Sequence, residues 1–197
     1  MLSNASQLFS GYKTGGDLAA GQFLKEIVGD FSQILGEPEQ EKERFIFRIN
    51  ETYLKDIQVY YEVDKKFLGN IYALIFEGCI PLHGIIGKFS PLHLSYSGMI
   101  KKGRPFFEYD KKEGENPLAR KLNKNEKLID MCWHQDLEYL KIFQDVQKDV
   151  IRVRYRPFGG SFVWLLFPPV KYRVRLPDRH YRIMVNSIKL ICEDLYC

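Results

Sequence analysis

Between residues 17 and 35 apolar side chains return at three- and four-residue steps: Ala20, Phe23, Leu24, Ile27, Val28, Phe31, Ile34 and Leu35. That spacing gives one apolar face and predicts a helix. Asp17 suits its N-cap, Gly36 its end, and Pro38 prevents its return. The pattern then changes to period two. Phe45, Phe47 and Ile49 alternate with Arg44, Ile46 and Arg48; Ile57, Val59, Tyr61 and Val63 alternate with Gln58, Tyr60 and Glu62. Half-buried strands read this way. Residues 64–70 read as a turn, and 71–77, apolar on both faces, as a central strand. Weaker strand patterns lie near 93–100 and 104–109.

Residues 111–125 are polar and of mixed charge, the pattern of a long surface connection. Ile129, Trp133, Leu137, Leu140 and Phe143 then predict a second helix over 126–147. Strands at 150–156, 161–167 and 170–176 follow, separated by turns at 157–160 and at Pro168 and Pro169. A last helix over 178–195 has Asp178 at its cap and Tyr181, Met184, Val185, Ile188, Ile191, Cys192 and Leu195 as its apolar stripe.

Runs of strands joined by short turns predict the α+β class. The expectation is a largely antiparallel sheet with an N-terminal, a mid-chain and a C-terminal helix packed on it. Residues 1–16 are small and polar and read as a flexible N-terminal arm; 17–197 read as one domain. No internal repeat or low-complexity tract breaks it.

Composition narrows the class without naming an activity. In 197 residues, 45% hydrophobic and 27% charged side chains exclude wholesale disorder, collagen-like sequence and a coiled coil. Aromatic residues, at 14%, are abundant enough to favour a binding surface. Cys79, Cys132, Cys192 and Cys197 lie far apart and form no CxxC pair, which suits free thiols in a reducing, cytoplasmic setting. The N-terminus lacks the basic and apolar regions of a secretory signal. The longest apolar run, residues 162–170, is nine residues with two prolines, against about 20 for a membrane-spanning helix. The expectation is therefore a cytoplasmic protein with no membrane insertion.

Charge is what stands out. Residues 148–182 hold nine Lys and Arg against two Asp, and the remainder of the chain is slightly acidic. Arg152, Arg154 and Arg156 share one face of their strand, with Ile151, Val153 and Tyr155 on the other. Lys171, Arg173 and Arg175 repeat the alternation. If the first two of these strands form a hairpin, Tyr155 meets Phe162 and Val153 meets Trp164. Whether both basic rows share a face turns on the loop at Pro168 and Pro169: an even count of loop residues separates them. Arginine rows beside an apolar strip suit phosphate or carboxylate, since the guanidinium fork donates two parallel hydrogen bonds. The candidate ligand-binding residues are Arg152, Arg154, Arg156, Lys171, Arg173, Arg175 and His180, the last in the first turn of the final helix. The partner would be an anionic small molecule, an anionic amphiphile or an acidic protein surface. Nucleic acid is disfavoured, for no RNP-like, KH or helix-turn-helix motif is present.

Other constellations are weaker. Cys79, His83, Cys132 and His134 are a ligand set zinc would accept, but the spacing fits no known finger, and no metal is expected. His134 and Asp136, two apart on a helix, would not face each other. Gly159 and Gly160 before Ser161 resemble a phosphate cradle, yet a strand follows, not a helix. No hydrolase, metalloprotease, dinucleotide or kinase signature occurs, so no cofactor is assigned. The sequence favours a non-catalytic binding or interaction module. A small enzyme using His134 or His180, or a structural subunit of a larger assembly, are the alternatives. Oligomeric state stays open.

Overall fold

Thr14 and Asp17 close a capping box. The Asp17 N–H donates to Thr14 Oγ1 at 3.2 Å, and the Thr14 N–H donates to Asp17 Oδ2 at 2.7 Å. Helix α1 (Gly15–Leu35) therefore begins two residues ahead of the expected start. Gly36 ends it at a φ of +84°, with its N–H donating to Ser32 O at 2.9 Å. The computed structural model describes residues 14–82, 90–97, 103–109 and 116–196.

After α1 come β1 (Glu39–Glu41), β2 (Arg44–Glu51), β3 (Leu54–Lys66), β4 (Gly69–Pro81), β5 (Leu92–Tyr96) and β6 (Pro105–Glu108). Then follow α2 (Pro117–Lys124), α3 (Glu126–Trp133), β7 (Leu137–Asp145), β8 (Val150–Pro157), β9 (Phe162–Leu165), β10 (Val170–Arg173) and α4 (Asp178–Tyr196). The strands form one antiparallel sheet in the order β1-β2-β3-β4-β8-β7-β5-β6. The fold is α+β, as the sequence predicts.

β4 organises the sheet. Its 13 residues pair with β3 along one edge and with two successive strands along the other. β8 takes Phe76 to Pro81, and β9 takes Gly69 to Tyr72. β8 and β9 are thus two pieces of one line along β4, not a hairpin. The expected pairs Tyr155 with Phe162 and Val153 with Trp164 do not form. Tyr155 lies opposite Phe76 and Leu140, Val153 opposite Gly78 and Ile142, Phe162 opposite Tyr72, and Trp164 opposite Asn70. The connection through 157–161 carries the chain onward in the same direction, where a tight turn would have reversed it. β10 then folds back on β9 at the sheet's edge.

One face of the sheet carries the core. Phe31 of α1 stacks on Phe76 with ring centroids 4.7 Å apart, and Tyr181 of α4 meets Phe31 edge-on at 4.7 Å. Gly78 lets α4 come close, since a Cβ there would sit 2.8 Å from Ile188 Cγ2.

The expected helix over 126–147 splits. Its first part is α3, which ends at Trp133 and is capped by His134, whose N–H donates to Asp130 O at 3.2 Å. Leu137–Asp145 is strand β7. A bulge between Leu137 and Tyr139 puts Leu137, Leu140 and Ile142 all inward. The expected stripe steps by three through Leu137, Leu140 and Phe143; the bulge supplies the first step, and Phe143 lies opposite Arg152 on the other face, which is why the periodicity misleads. The expected surface connection over 111–125 holds α2, whose Ala119 and Leu122 are buried.

Candidate functional site

The arginine row of β8 lies on the sheet face opposite the helices, and carboxylates surround it. Glu77, on the neighbouring β4, is fully buried. Arg154 Nε reaches its Oε2 at 2.5 Å, Arg152 Nη1 pairs with its Oε1, and Tyr60 OH donates to it at 3.4 Å. Arg152 also holds Asp145 at 2.8 Å, and Arg154 holds Glu62 at 3.2 Å. Arg156 lies 2.5 Å from Asp64 and 2.9 Å from Glu138. A buried carboxylate needs such partners, because desolvation of an unpaired charge is prohibitive. Burial opposes the charge on Arg152, and Glu77 and Asp145 more than offset it, so its guanidinium is held above the ordinary arginine value. The hydrogen bond from Arg152 holds the Asp145 carboxyl below the usual carboxylate range.

The second basic row lies on the other face. Four residues, 166–169, join the paired Leu165 and Val170, the even count that separates the rows. Lys171 sits opposite Trp164, with its Nζ 4.3 Å from the indole centroid. Arg173 reaches Glu26 of α1 at 3.1 Å and lies 5.0 Å over the Phe23 ring. Arg175 is 85% exposed and stands 3.5 Å from Asp178. His180 is buried at the start of α4. The seven candidate residues therefore divide into three groups: a paired row, a half-free row on the opposite face, and a packed histidine.

Other candidate chemistry is dispersed. His83 lies outside the described residues. Cys79 faces the arginine side of the sheet, with Gln58 Nε2 3.5 Å from its sulfur, whereas Cys132 is in the helix-side core. Among the described residues no group of three or more His, Cys, Asp or Glu converges as metal ligands. The N–H of Gly160 donates to Val174 O at 2.7 Å, so the glycine pair docks the 157–161 connection onto residues 174–176. His134 is exposed, with Nδ1 2.9 Å from Asp130 O. A cleft of about 320 Å³ lies between α1 and β2–β4, walled by Ala20, Leu24, Phe45, Tyr61 and Tyr72. Neither His134 nor His180 lines it.

The feature that composition and charge reading missed is at one end of the sheet. The β3–β4 turn presents Phe67, 98% exposed, with Leu68 beside it. The β9–β10 turn presents Leu166 and Phe167, 66% and 73% exposed. The two turns touch: the Leu166 N–H donates to Leu68 O at 2.8 Å. Gly69, at a φ of +152°, permits the approach, since a Cβ there would lie 2.1 Å from Trp164 O. Around these tips Lys65, Lys66 and Lys171 are exposed, and among the described residues none of the three forms an ion pair. The signal was legible. Two bulky apolar residues sit in an otherwise polar turn at 64–70, and the longest apolar run of the chain is broken by two prolines.

A family model described as a protein of unknown function, DUF3156, matches residues 29–193. The match takes in both turns and the arginine row. No curated protein and no solved structure matches.

Proposed function

The chain belongs to the DUF3156 family, whose description assigns no activity, and from the geometry of its sheet we propose that it is a non-catalytic binding module for an anionic, partly apolar partner. The observation that carries the reading is the pair of joined turns, where exposed Phe67, Leu166 and Phe167 stand beside Lys65, Lys66 and Lys171. Apolar groups bordered by unpaired ammonium groups suit a ligand that carries both a hydrocarbon part and a phosphate or carboxylate. Of the basic residues in the C-terminal segment, Lys171 belongs to this reading, whereas Arg173 pairs with Glu26 and Arg175 with Asp178. Arg152, Arg154 and Arg156 do not belong to it, because their donors are directed at carboxylates of the same sheet.

A cytoplasmic setting is part of the same reading. Among the described residues Cys79, Cys132 and Cys192 are buried and form no disulfide, which suits a reducing compartment. Among the described residues no helix is long and apolar enough to cross a membrane.

The test is a titration with decyl phosphate, kept below its micelle-forming concentration and followed by amide chemical shifts. Saturable shifts confined to residues 65–69 and 164–173 support the reading. Shifts centred on 152–156 or His180, or no saturable shifts, overturn it.

A further inference from the structure

The exposed turns form a convex, rigid feature. Each tip is the end of a hairpin, and each hairpin is anchored in the sheet: β3 and β4 pair over 11 positions, and β9 lies between β4 and β10. The bond from the Leu166 N–H to Leu68 O joins the tips through their backbones. Pro168 and Pro169 follow at once and restrict the chain further. Phe67, Leu166 and Phe167 thus protrude from a fixed base.

Charge has a definite position relative to the tips. Lys66 pairs with Gly69 and Lys65 with Asn70, so they lie one and two positions below the tip, on opposite faces of the hairpin. Lys171, opposite Trp164, lies two positions below the other tip, on the face of Lys65. Aromatic and aliphatic side chains therefore lead, and a tier of ammonium groups follows. Acids on the elements that carry or adjoin this tier are engaged: Asp64 holds Arg156, Glu26 holds Arg173, and Asp17 accepts from the Tyr72 hydroxyl at 2.6 Å.

We propose that this end of the molecule docks on an anionic lipid bilayer, with Phe67, Leu166 and Phe167 entering the interface and Lys65, Lys66 and Lys171 meeting headgroup phosphates. The inference rests on the binding-module reading above and names its partner. Two properties favour a bilayer. A protruding apolar tip needs a complementary pocket to bind a protein, whereas a fluid interface admits it without one. The basic tier also lies behind the apolar one, the order met on approaching the hydrocarbon through the headgroups. Three side chains at this depth dock at the surface and span nothing. The run at residues 162–170, too short for a spanning helix, is long enough for one hairpin tip.

The experiment is sedimentation of the full chain with vesicles of phosphatidylcholine alone and with about 30 mol % phosphatidylglycerol. Binding should require the anionic lipid and weaken as salt is raised from about 0.1 to 0.5 M. Lys65→Glu/Lys66→Glu/Lys171→Glu should lose binding by well over tenfold, at about fivefold or more per lysine. Phe67→Ser/Phe167→Ser should lose at least about tenfold while keeping the wild-type unfolding midpoint. Several results overturn the inference. A dimer in solution that Phe67→Ser dissociates assigns the patch to a second copy. A lower midpoint for the serine variant with vesicle binding unchanged assigns it to packing within the chain. Decyl phosphate shifts at the tips without vesicle binding refute the bilayer and leave the binding module standing. Absence of both refutes the two together.

Discussion

Arg154 Nε lies 2.5 Å from Glu77 Oε2, on adjacent strands and directly opposite in register. Glu77 is fully buried and takes Arg152 on its other oxygen. The most conspicuous basic row in the sequence is therefore half of an internal charge network. Removing one partner strands a buried charge. Arg152→Ser should lower the unfolding free energy by about 3–5 kcal/mol in a denaturant titration. A loss below about 1 kcal/mol, the scale of a surface pair, would show the network to be dispensable.

The helix layer gives an independent prediction. A Cβ at residue 78 would sit 2.8 Å from one Ile188 methyl and 3.0 Å from another carbon of that side chain. Ile188 is fully buried. Gly78→Ala should cost about 1–3 kcal/mol by overpacking, whereas Gly21→Ala, half-buried at the cleft beside α1 and meeting nothing within 4 Å, should be neutral or stabilising. Equal unfolding midpoints for the two variants would contradict the close contact of α4 with β4.

Thiol ionisation sets a pH dependence. Burial pushes the Cys192 thiol up to about 12, and Cys79 is raised for the same chief reason. The folded chain keeps these protons where the unfolded chain, with thiols near 8.5, loses them. Their stability contribution is complete below the unfolded value and falls as pH rises towards the folded one. Unfolding free energy should thus decline from about pH 8.5 upward, by about 1.4 kcal/mol per pH unit for each buried thiol. Cys192→Ala should make the decline shallower. Identical slopes for wild type and variant would show that Cys192 ionises alike in both states.

Much of the fold was legible because burial on one side imposes its period on the chain. The alternation at 44–49, 57–63 and 150–156 marks strands, and the stripe from Tyr181 to Leu195 marks α4. Residues 137–145 failed because a bulge changed a period of two into a local three. Strand partners were harder still. Nothing local in 157–161 tells that the chain continues along β4 instead of turning back, since that depends on β4 being long enough to take both strands. The site was misjudged for a related reason. Alternating arginines are visible in the sequence, but of the acids that neutralise them only Asp145 is close in the chain, and Glu62 and Glu77 come from strands far away in sequence. The tips at Phe67 and Phe167 are about a hundred residues apart, and their contact exists only in the fold.

The most direct measurement compares decyl phosphate affinity and unfolding midpoint in two variants. The account predicts that Lys65→Glu/Lys66→Glu/Lys171→Glu keeps the wild-type midpoint and loses affinity by more than about tenfold, on the scale of 1.4 kcal/mol per decade. Arg152→Gln, which breaks the pairs to Glu77 and Asp145, should unfold earlier and bind as wild type while folded. The reverse pattern, with affinity lost in Arg152→Gln and kept in the lysine variant, would return the binding site to the arginine row and contradict a site at the two tips.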